Sequence, residues 1–473
     1  MAKRWVTRWG PTQSGEKGSF VEVLAIQGNS SIEAMAWELP PSKSHAIRML
    51  ALAAQSPQST VLHNMAFAGQ DVVSMRRCLG QLGVSFDDLD ASGDVLPPVA
   101  NRDDQPHEDS LSWRVHGVGP GGLQPPTTVL HAGNSGTALR ILMALAAQFS
   151  VPVMLDGDAS LRSRSYTNLL SSLQEAGVNV SYGTEHERLP VLLQGPKIAH
   201  ANVTLDVSSS SQPSTAWYLA TPSLQTAIRL NEQGQAVSRR HSELTRMLCL
   251  ASGASSVGEG ELVPWVPNFS PSSLEVPPDC SMLAFAFLAA RVHGCQVALA
   301  QLPREEDALG HELLLEHASS LGVRVEGNLL VPLNTSLQEV ELDLRDANDL
   351  ITPLATLLAL GGGGTITGAA HAAHKETNRI SGTERFLAQF GLQSQATPEG
   401  LVLPGGQRLE APQGVVETYG DHRMQLTALV LASSLTSTTL LTGPTLHRIA
   451  DPQAVERWQA CGVGVESRLH ATW

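Results

Sequence analysis

Aromatic and charged residues are both scarce in this chain of 473 residues. Only 4% of the residues are aromatic and 16% are charged, whereas 42% are hydrophobic. This composition excludes a disordered or fibrous protein and is typical of a globular one rich in small residues. Because single hydrophobic cores stop growing beyond roughly 250 to 300 residues, the length predicts two or three domains. We expect two.

Positive charge and paired cysteines are lacking as well. The formal net charge is −14, whereas a nucleic-acid-binding surface normally shows a basic excess, so we expect no nucleic-acid partner. The five cysteines are odd in number and contain no CxxC spacing. They therefore predict neither a disulfide framework nor a zinc knuckle, and they favour a reducing compartment.

Long apolar runs are also absent. No run is both long enough and sufficiently free of charge to span a bilayer, and the basic segment 1–20 contains no continuous apolar stretch of the kind found in signal peptides. We expect a cytoplasmic protein with no membrane partner.

One local pattern occurs six times along the chain. A cluster of small or charged residues leads directly into an apolar helical run, and a Gly-containing turn or a β-rich stretch follows. The openings, roughly 70 to 90 residues apart, are Lys43 in SKSHAIR, Gly136 in GNSGTALR, Ser211 in SSSSQ, Asp279 in DCSMLAF, Asp349 in DANDLITP and Asp421 in GDHRMQL. Repeats of one supersecondary unit normally stack into one architecture.

Each unit resembles a βαβ element, with strands such as VPVMLDG and GTITG after the helices. Runs such as ILMALAA are apolar nearly all round, so the helices should be buried, with the sheets outside. We predict an α/β protein with three units in each of two domains, and a break near residues 276–278. The acidic segment 86–120 lacks periodicity and is predicted to be a surface loop.

The openings also carry the residue types that bind anions. A helix N-terminus offers unpaired backbone N–H groups to an anion, although each opening taken alone could be no more than an N-cap. Ser44 and Arg48 lie one helical turn apart and share a face. Arg164, Arg379 and Arg423 add permanent cations suited to carboxylate and phosphate. The set as a whole predicts a site for anionic small molecules.

Metal and serine chemistry lack support in the sequence. His371 and His374 in HAAHKETNR are spaced i, i+3, but no HExxH order and no further ligand pattern accompanies them. SSSSQ contains no GxSxG elbow. We expect neither a metal nor a cofactor.

Eight segments, in order over nearly the whole chain, resemble the signature segments of EPSP synthases, a family of enolpyruvyl transferases. They are PPSKSHAIR, GNSGTALR, GDASLRSR, SSSSQ, AVSRRH, DANDLITPLA, HKETNR and TYGDHRM. The resemblance implies a two-domain inside-out α/β barrel, each domain built of three βαβαββ units with helices buried and sheets outside. The implied domains are residues 38–276, and residues 1–37 together with 277–473, with the active site in the cleft between them.

The resemblance also implies an activity and no cofactor. The enolpyruvyl group of phosphoenolpyruvate would move to the 5-hydroxyl of shikimate 3-phosphate, releasing phosphate, in the pathway to chorismate and the aromatic amino acids. We expect these two anions as partners of a monomer. Positions matching those that hold the acceptor are Lys43, Ser44, Arg48, Ser210, Ser211, Gln212, Ser238, Asp349, His371 and Lys375. Positions matching those around phosphoenolpyruvate are Lys43, Gly136, Arg164, Gln212, Arg379 and Arg423.

The reaction explains why these residue types are needed. The acceptor hydroxyl adds to C2 while C3 is protonated, and the tetrahedral intermediate then loses phosphate and a proton. One base is needed near the hydroxyl, for which Asp349 is the candidate. A proton donor or relay is needed near C3, for which Glu376 and Lys43 are candidates. Two multiply charged anions repel each other in a closed cleft, which requires many cations.

Several positions depart from the family pattern and leave alternatives open. Three changes affect backbone-shaping positions, namely Pro41, Ile141 and Ser165, which stand where Gly, Pro and Pro are usual. Five affect side chains, namely His241, His371, Ala373, Asn378 and Thr445, which stand where Tyr, Asn, Arg, Asp and Lys are usual. His447 or Arg448 is a candidate replacement for that lysine. The alternatives are a paralogue acting on another phosphorylated alcohol, and a non-catalytic paralogue that binds an anion. The branch of the superfamily that acts on UDP-sugars is disfavoured. Its members carry a Cys in a mobile loop near this region, whereas residues 159–165 contain none.

Overall fold

A computed structural model describes residues 19–99, 105–183, 187–197, 201–257 and 260–472. The expectations for the N-terminal residues 1–18 lie outside this part of the chain. Within the described residues, none of the helices is both long and apolar enough to cross a membrane.

Short strands alternate with helices throughout. The strands are β1 (Ser19–Gln27), β2 (Ala34–Trp37), β3 (Ser59–His63), β4 (Ser85–Leu89), β5 (Ser112–His116), β6 (Leu130–His131), β7 (Val153–Asp156), β8 (Asn179–Tyr182), β9 (Val191–Gln194), β10 (Asn202–Asp206), β11 (Ile228–Gln233), β12 (Glu261–Leu262), β13 (Ser273–Glu275), β14 (Gln296–Leu299), β15 (Val323–Glu326), β16 (Leu329–Pro332), β17 (Val340–Asp343), β18 (Gly363–Thr367), β19 (Gln395–Thr397), β20 (Gly400–Pro404), β21 (Val415–Val416), β22 (Thr439–Thr442) and β23 (Gly464–Thr472).

The α-helices are α1 (Lys43–Ala54), α2 (Gln70–Gln81), α3 (Gly136–Ala146), α4 (Ala159–Arg162), α5 (Thr167–Glu175), α6 (Gln212–Ala220), α7 (Arg239–Ala251), α8 (Leu283–His293), α9 (Leu313–Glu316), α10 (Ile351–Leu360), α11 (Arg379–Ala388), α12 (His422–Ser433) and α13 (Ala454–Ala460). Short 3-10 segments are Thr221–Ser223, Cys280–Met282, Glu305–Asp307, Asn348–Leu350, Ala370–His374 and Leu446–Ile449.

The described strands form six sheets that share one topology. Each sheet has a parallel pair at one side, to which one or two further strands are added antiparallel. The strand orders are β13-β3-β5-β4, β6-β7-β9-β8, β10-β11-β12, β2-β14-β16-β15, β17-β18-β20-β19 and β21-β22-β1-β23. The six-fold repeat read from the sequence is therefore present, and the third sheet has one strand fewer among the described residues.

Three sheets are completed by strands that are distant in sequence, one of which is β1, pairing antiparallel with β22 and β23. β13 pairs parallel with β3, with Leu274 opposite Leu62, and β2 pairs parallel with β14, with Met35 opposite Val297. The buried apolar residues form two clusters, which we call the first core (within residues 46–276) and the second core (within residues 24–39 and 280–465). The chain thus passes between the two cores once after β2 and once after β13.

Helices form the inside of both cores. The six apolar runs singled out in the sequence become α1, α3, α6, α8, α10 and α12. The first three contact one another in the first core, and the last three do so in the second. Every residue of α8 from Leu283 to Ala290 is buried. Small side chains permit this close packing, and α8 ends at Gly294, whose φ of +61° suits a left-handed C-cap.

The acidic segment 86–120 corrects one prediction. It contains most of β4 and all of β5, which pair antiparallel in the first sheet. The acidic residues of β4 are neutralised there, because Asp88 lies 2.5 Å from Arg76 and Asp87 lies 3.0 Å from Arg114. The prediction of a loop was wrong for these two strands. The adjacent carboxylates Asp87 and Asp88 interrupt the alternation of apolar and polar residues by which a strand is recognised. Residues 100–104 lie outside the described part.

Truncation of an inner helix should destabilise the protein. Leu354 of α10 is fully buried, so Leu354→Ala should lower the free energy of unfolding by about 2–5 kcal/mol. Leu469 of β23 is 71% exposed, and Leu469→Ala should change stability by less than about 0.5 kcal/mol. Urea unfolding of both variants measures the difference. Equal effects would contradict the inside-out arrangement of helices and sheets.

Candidate active site

A cavity of about 810 Å³ lies between the two cores. The residues predicted for the site line it from both sides, with the exception of Arg379 and Arg423. From the first core these are Lys43, Ser44, Arg48, Gly136, Arg164, Ser210, Ser211, Gln212 and Ser238, and from the second core Asp349, His371, Lys375 and Glu376. Arg379 and Arg423 are buried beside the cavity and bond to its carboxylates.

The starts of the inner helices position these groups. Lys43, Gly136 and Gln212 are the first residues of α1, α3 and α6, and Asp349 lies in the 3-10 turn that leads into α10. The openings thus place polar groups at the cavity while their apolar runs enter the cores. Some caps are formed by side chains, since Ser135 accepts a hydrogen bond from the backbone N–H of Ala138.

One end of the cavity is built around Gly136. A Cβ at this position would lie 3.1 Å from Nη1 of Arg164, 3.2 Å from Nη1 of Arg140 and 3.7 Å from Oε1 of Gln212. Arg140 donates to that oxygen over 2.6 Å and stacks on the ring of Tyr166. Glycine therefore leaves room beside two guanidinium groups, a geometry suited to a small anion.

Lys43 is held by a buried carboxylate. Its Nζ lies 3.0 Å from Oδ2 of Asp71, which belongs to the first turn of α2. Burial is the largest single effect and lowers the pKa of Lys43, but the carboxylates of Asp71, Asp349 and Glu376 together outweigh it, so the net shift is upward. The amine therefore remains a cation at the mouth of α1.

Arg379 joins three carboxylates in the second core. Its side chain is 1% exposed and lies 2.6 Å from Asp349, 2.5 Å from Glu376 and 2.7 Å from Asp421. Burial raises the pKa of Asp349 and Glu376, but neighbouring cations outweigh it, and the pKa of each carboxyl lies well below its usual range. Arg423 is foremost among the cations for Asp349, and Arg379 for Glu376. Both carboxylates are therefore ionised at neutral pH.

Arg423 retains unused donors. Its Nη2 donates to Oγ of Ser281 over 3.0 Å and lies 3.4 Å from Oδ2 of Asp349. Its Nε and Nη1 are buried and have no hydrogen-bond partner among the described residues. Such donors are unfavourable in a protein interior unless a ligand accepts from them, so they point to an anion.

The other end of the cavity contains hydroxyl, amide and imidazole groups. Arg48 is buried, and its three guanidinium nitrogens donate to Thr245, Ser44 and Thr215. The amide of Asn348 lies 2.6 Å from Nε2 of His371. Burial lowers the pKa of Lys375, and carboxylate partners only partly offset this. Among the described residues, no group of three or more His, Cys, Asp or Glu side chains could hold a metal ion.

Comparisons with known proteins identify the family. The profile described as EPSP synthase (3-phosphoshikimate 1-carboxyvinyltransferase) matches residues 26–457. The chain belongs to the EPSP synthase family.

Similar proteins cover most of the chain. A 3-phosphoshikimate 1-carboxyvinyltransferase of Herpetosiphon aurantiacus is 30% identical over 76% of this chain and 82% of its own length. One from Methanothermobacter thermautotrophicus is 27% identical over 85% of this chain and 90% of its own. A solved EPSP synthase of Acinetobacter baumannii matches with a TM-score of 0.71 at 21% identity, covering 95% of this chain and 100% of that one. The prediction of a two-domain inside-out α/β fold is thereby confirmed.

Two ion pairs and a hydrogen bond connect the first-core side of the cleft with the second-core side. Nη2 of Arg164 lies 3.4 Å from Oε1 of Glu376, and Nη2 of Arg240 lies 3.0 Å from Oε1 of Glu312. The backbone N–H of Arg239 donates to Asp346 over 2.7 Å. Each of these three contacts connects a residue from the first-core side with one from the second-core side. Residues of both sides therefore bound the cavity.

Three charged residues that contact predicted site residues were not assigned from the sequence. Arg140 stands inside GNSGTALR, one turn after Gly136, and that spacing could have revealed it. Asp421 was recognised only as a helix opening. Asp71 has no motif of its own, and only its contact with Lys43 reveals it. The candidate replacements His447 and Arg448 do not line the cavity.

Removal of the Asp71 carboxylate should change the ionisation of Lys43. In Asp71→Asn, the pKa of Lys43 should fall by roughly one unit or more, because an opposite charge at this distance favours the ammonium form. Competitive acetylation across the alkaline range, followed by mass spectrometry, measures this pKa. Asp87→Asn removes a carboxylate from a different ion pair and should leave Lys43 unchanged. If the pKa of Lys43 were the same in Asp71→Asn, Asp71 would contribute to packing and would have no electrostatic effect on Lys43.

Proposed function

We propose that this chain transfers the enolpyruvyl group of phosphoenolpyruvate to the 5-hydroxyl of shikimate 3-phosphate and releases phosphate. The observation that carries this proposal is a set of five cationic side chains and two ionised carboxylates at one cavity, with three of the cations lining it and two buried beside it. The cations are Lys43, Arg164, Lys375, Arg379 and Arg423, and the carboxylates are Asp349 and Glu376. Two anions and two proton transfers require such a set.

We assign phosphoenolpyruvate to the end of the cavity around Gly136. Arg164 and Gln212 surround this glycine, and the unpartnered donors of Arg423 and Nε of Arg164 are available for carboxylate and phosphate oxygens. Arg379 on the second-core side and Lys43 at the N-terminus of α1 complete the group of residues assigned to phosphoenolpyruvate.

We assign the phosphorylated acceptor to the other end. The groups proposed to hold it are Lys43, Ser44, Arg48, Ser210, Ser211, Gln212, Ser238, Asp349, His371 and Lys375. Their hydroxyls, amide and cations fit a ligand that carries phosphate, carboxylate and hydroxyl groups. Because all three guanidinium nitrogens of Arg48 donate to protein groups, its role would be to order Ser44, Thr215 and Thr245.

Proton transfer follows from the carboxylate pairs. Asp349 would accept the proton of the acceptor hydroxyl as it adds to C2, and Glu376, assisted by Lys43, would deliver a proton to C3. In the ligand-free state the neighbouring arginines hold the pKa of both carboxyls low. A bound anion would compete for those arginines and raise both pKa values. Asp349 would become a stronger base and Glu376 a better proton carrier only when substrate is present.

The two alternatives predict different outcomes. A paralogue acting on another phosphorylated alcohol would keep the anion-binding groups and the base and differ at the acceptor end, where His241 and His371 depart from the family pattern. A non-catalytic paralogue would not need Asp349 and Glu376 as an ionised pair within one cavity. A paralogue that has lost its activity should lose such buried charged residues first, because an unpaired buried charge is unfavourable.

We also propose the domain division at residues 38–276 and at residues 1–37 with 277–473, since the cores change at these positions. The monomeric state and the cytoplasmic location remain predictions.

Phosphate release tests the function directly. Purified protein should release phosphate from phosphoenolpyruvate only when shikimate 3-phosphate is added, and mass spectrometry should identify the enolpyruvyl ether. Asp349→Asn should reduce turnover by roughly a hundredfold or more while both ligands still bind, because a general base contributes about 10²–10⁴. Asp343→Asn, at the end of β17 and away from the cavity, should retain activity. Release with another phosphorylated alcohol alone would support the paralogue instead.

A methyl group at Gly136 should selectively weaken the binding of phosphoenolpyruvate. The Cβ of Gly136→Ala would lie 3.1 Å from Arg164, and overpacking of this kind costs about 1–3 kcal/mol. We expect KM for phosphoenolpyruvate to rise about tenfold or more, with little change for shikimate 3-phosphate. Steady-state kinetics measures both constants.

Gly80→Ala provides the control, since nothing lies within 4 Å of a Cβ at that helical position. If Gly136→Ala raised both Michaelis constants equally, the assignment of phosphoenolpyruvate to this end would be wrong.

A further inference from the structure

Two histidines of the cavity wall have ring nitrogens without partners. His241 lies in the first turn of α7, and His311 lies just before α9. Nδ1 of His241 and Nε2 of His311 are buried, and neither has a hydrogen-bond partner among the described residues. The two rings meet edge to face with their centroids 6.4 Å apart. We call them the histidine pair.

The hydrogen-bonding role of His311 follows from its other nitrogen. Nδ1 lies 2.7 Å from the carbonyl oxygen of Ala308, which can only accept, so Nδ1 carries the proton. In the neutral ring Nε2 is then an acceptor with a free lone pair. Burial lowers the pKa of both imidazoles, which keeps them neutral at physiological pH.

The histidine pair faces ligand space. Both side chains line the main cavity, and both also line an adjoining space of about 10 Å³ that is bounded by Lys43, Asp349 and Arg423. His311 is 4% exposed, so its bare nitrogen is desolvated by the protein. A buried acceptor without a partner is unfavourable, and because His311 lines the cavity, a ligand group bound there could donate to it.

The chemistry of that ligand group is restricted. A fully ionised phosphate or carboxylate has no hydrogen to donate to Nε2, and a cation would be repelled by the neighbouring Lys43 and Arg423. A hydroxyl is a neutral donor and fits both conditions. The charge of Asp349 acts on both imidazoles, which places the candidate base close to the histidine pair.

We propose that the histidine pair recognises the acceptor hydroxyl next to the reacting one, with Nε2 of His311 as the hydrogen-bond acceptor. This inference rests on the proposed function. Holding the neighbouring hydroxyl at His311 would direct the reacting hydroxyl towards Asp349. His311 is thus a specificity and positioning residue, and it acts through the orientation of the acceptor ring.

The test compares shikimate 3-phosphate with its analogue lacking the 4-hydroxyl. Calorimetry should show that the unmodified protein prefers shikimate 3-phosphate by roughly tenfold or more, because a site built for a hydroxyl is left unpaired by the deoxy ligand. His311→Leu should abolish this preference while the Kd for phosphoenolpyruvate stays unchanged. His311→Gln should restore part of it, because the carboxamide oxygen can accept.

His293→Leu is the matched control. This half-buried histidine bonds Ser433 and packs on Trp458, away from the cavity, so the preference should persist. Equal affinity of the unmodified protein for both ligands would overturn the inference without any variant, even if His311→Leu failed to fold. An unchanged preference in His311→Leu would also overturn it.

The outcomes separate this inference from the proposed function. Binding of shikimate 3-phosphate with the expected preference but without phosphate release would defeat the enzymatic proposal alone. Turnover without a preference for the 4-hydroxyl would defeat the histidine-pair inference alone. No binding of shikimate 3-phosphate would defeat both.

Discussion

The buried guanidinium of Arg379 holds together the part of the second core that borders the cavity. It bonds carboxylates from three separate segments, namely Asp349 before α10, Glu376 before α11 and Asp421 at the N-cap of α12. Because an unpaired buried charge is strongly unfavourable, these segments are stable only when they meet. One ion-pair cluster therefore fixes the starts of three helices at the cleft and determines where the two candidate proton-transfer groups lie.

In the first core, hydrogen bonds of arginine side chains connect the helices that border the cleft. Arg48 of α1 donates to Thr215 of α6 and Thr245 of α7, and Arg140 of α3 donates to Gln212 of α6. These bonds connect α1 and α3 with α6, and α1 with α7. The two halves of the cleft thus differ in character, with a charged cluster on one side and a network of arginine, hydroxyl and amide groups on the other.

The electrostatics of the cleft run against those of the whole chain. The net charge is −14, yet Lys43, Arg164 and Lys375 line one cavity, and Arg379 and Arg423 are buried beside it against Asp349. Four of these cations pair with carboxylates in the ligand-free state, as in the pairs of Arg164 with Glu376 and Lys43 with Asp71. Anionic substrates would exchange protein carboxylates for their own charges. Binding and the ionisation of the proton-transfer groups are thereby coupled.

The sequence by itself determined the six-fold repeat, the buried helices and the anion-binding openings, because small and apolar runs that follow capping residues are local signals. The acidic strand β4 was misread, since its pairing with β5 and the ion pairs of Asp87 with Arg114 and of Asp88 with Arg76 form only in the folded chain. Tertiary structure alone decided the partners of Lys43 and His311. Asp71 and Ala308 lie in segments without a motif, and a buried nitrogen can be recognised as unpaired only once all its neighbours are in place.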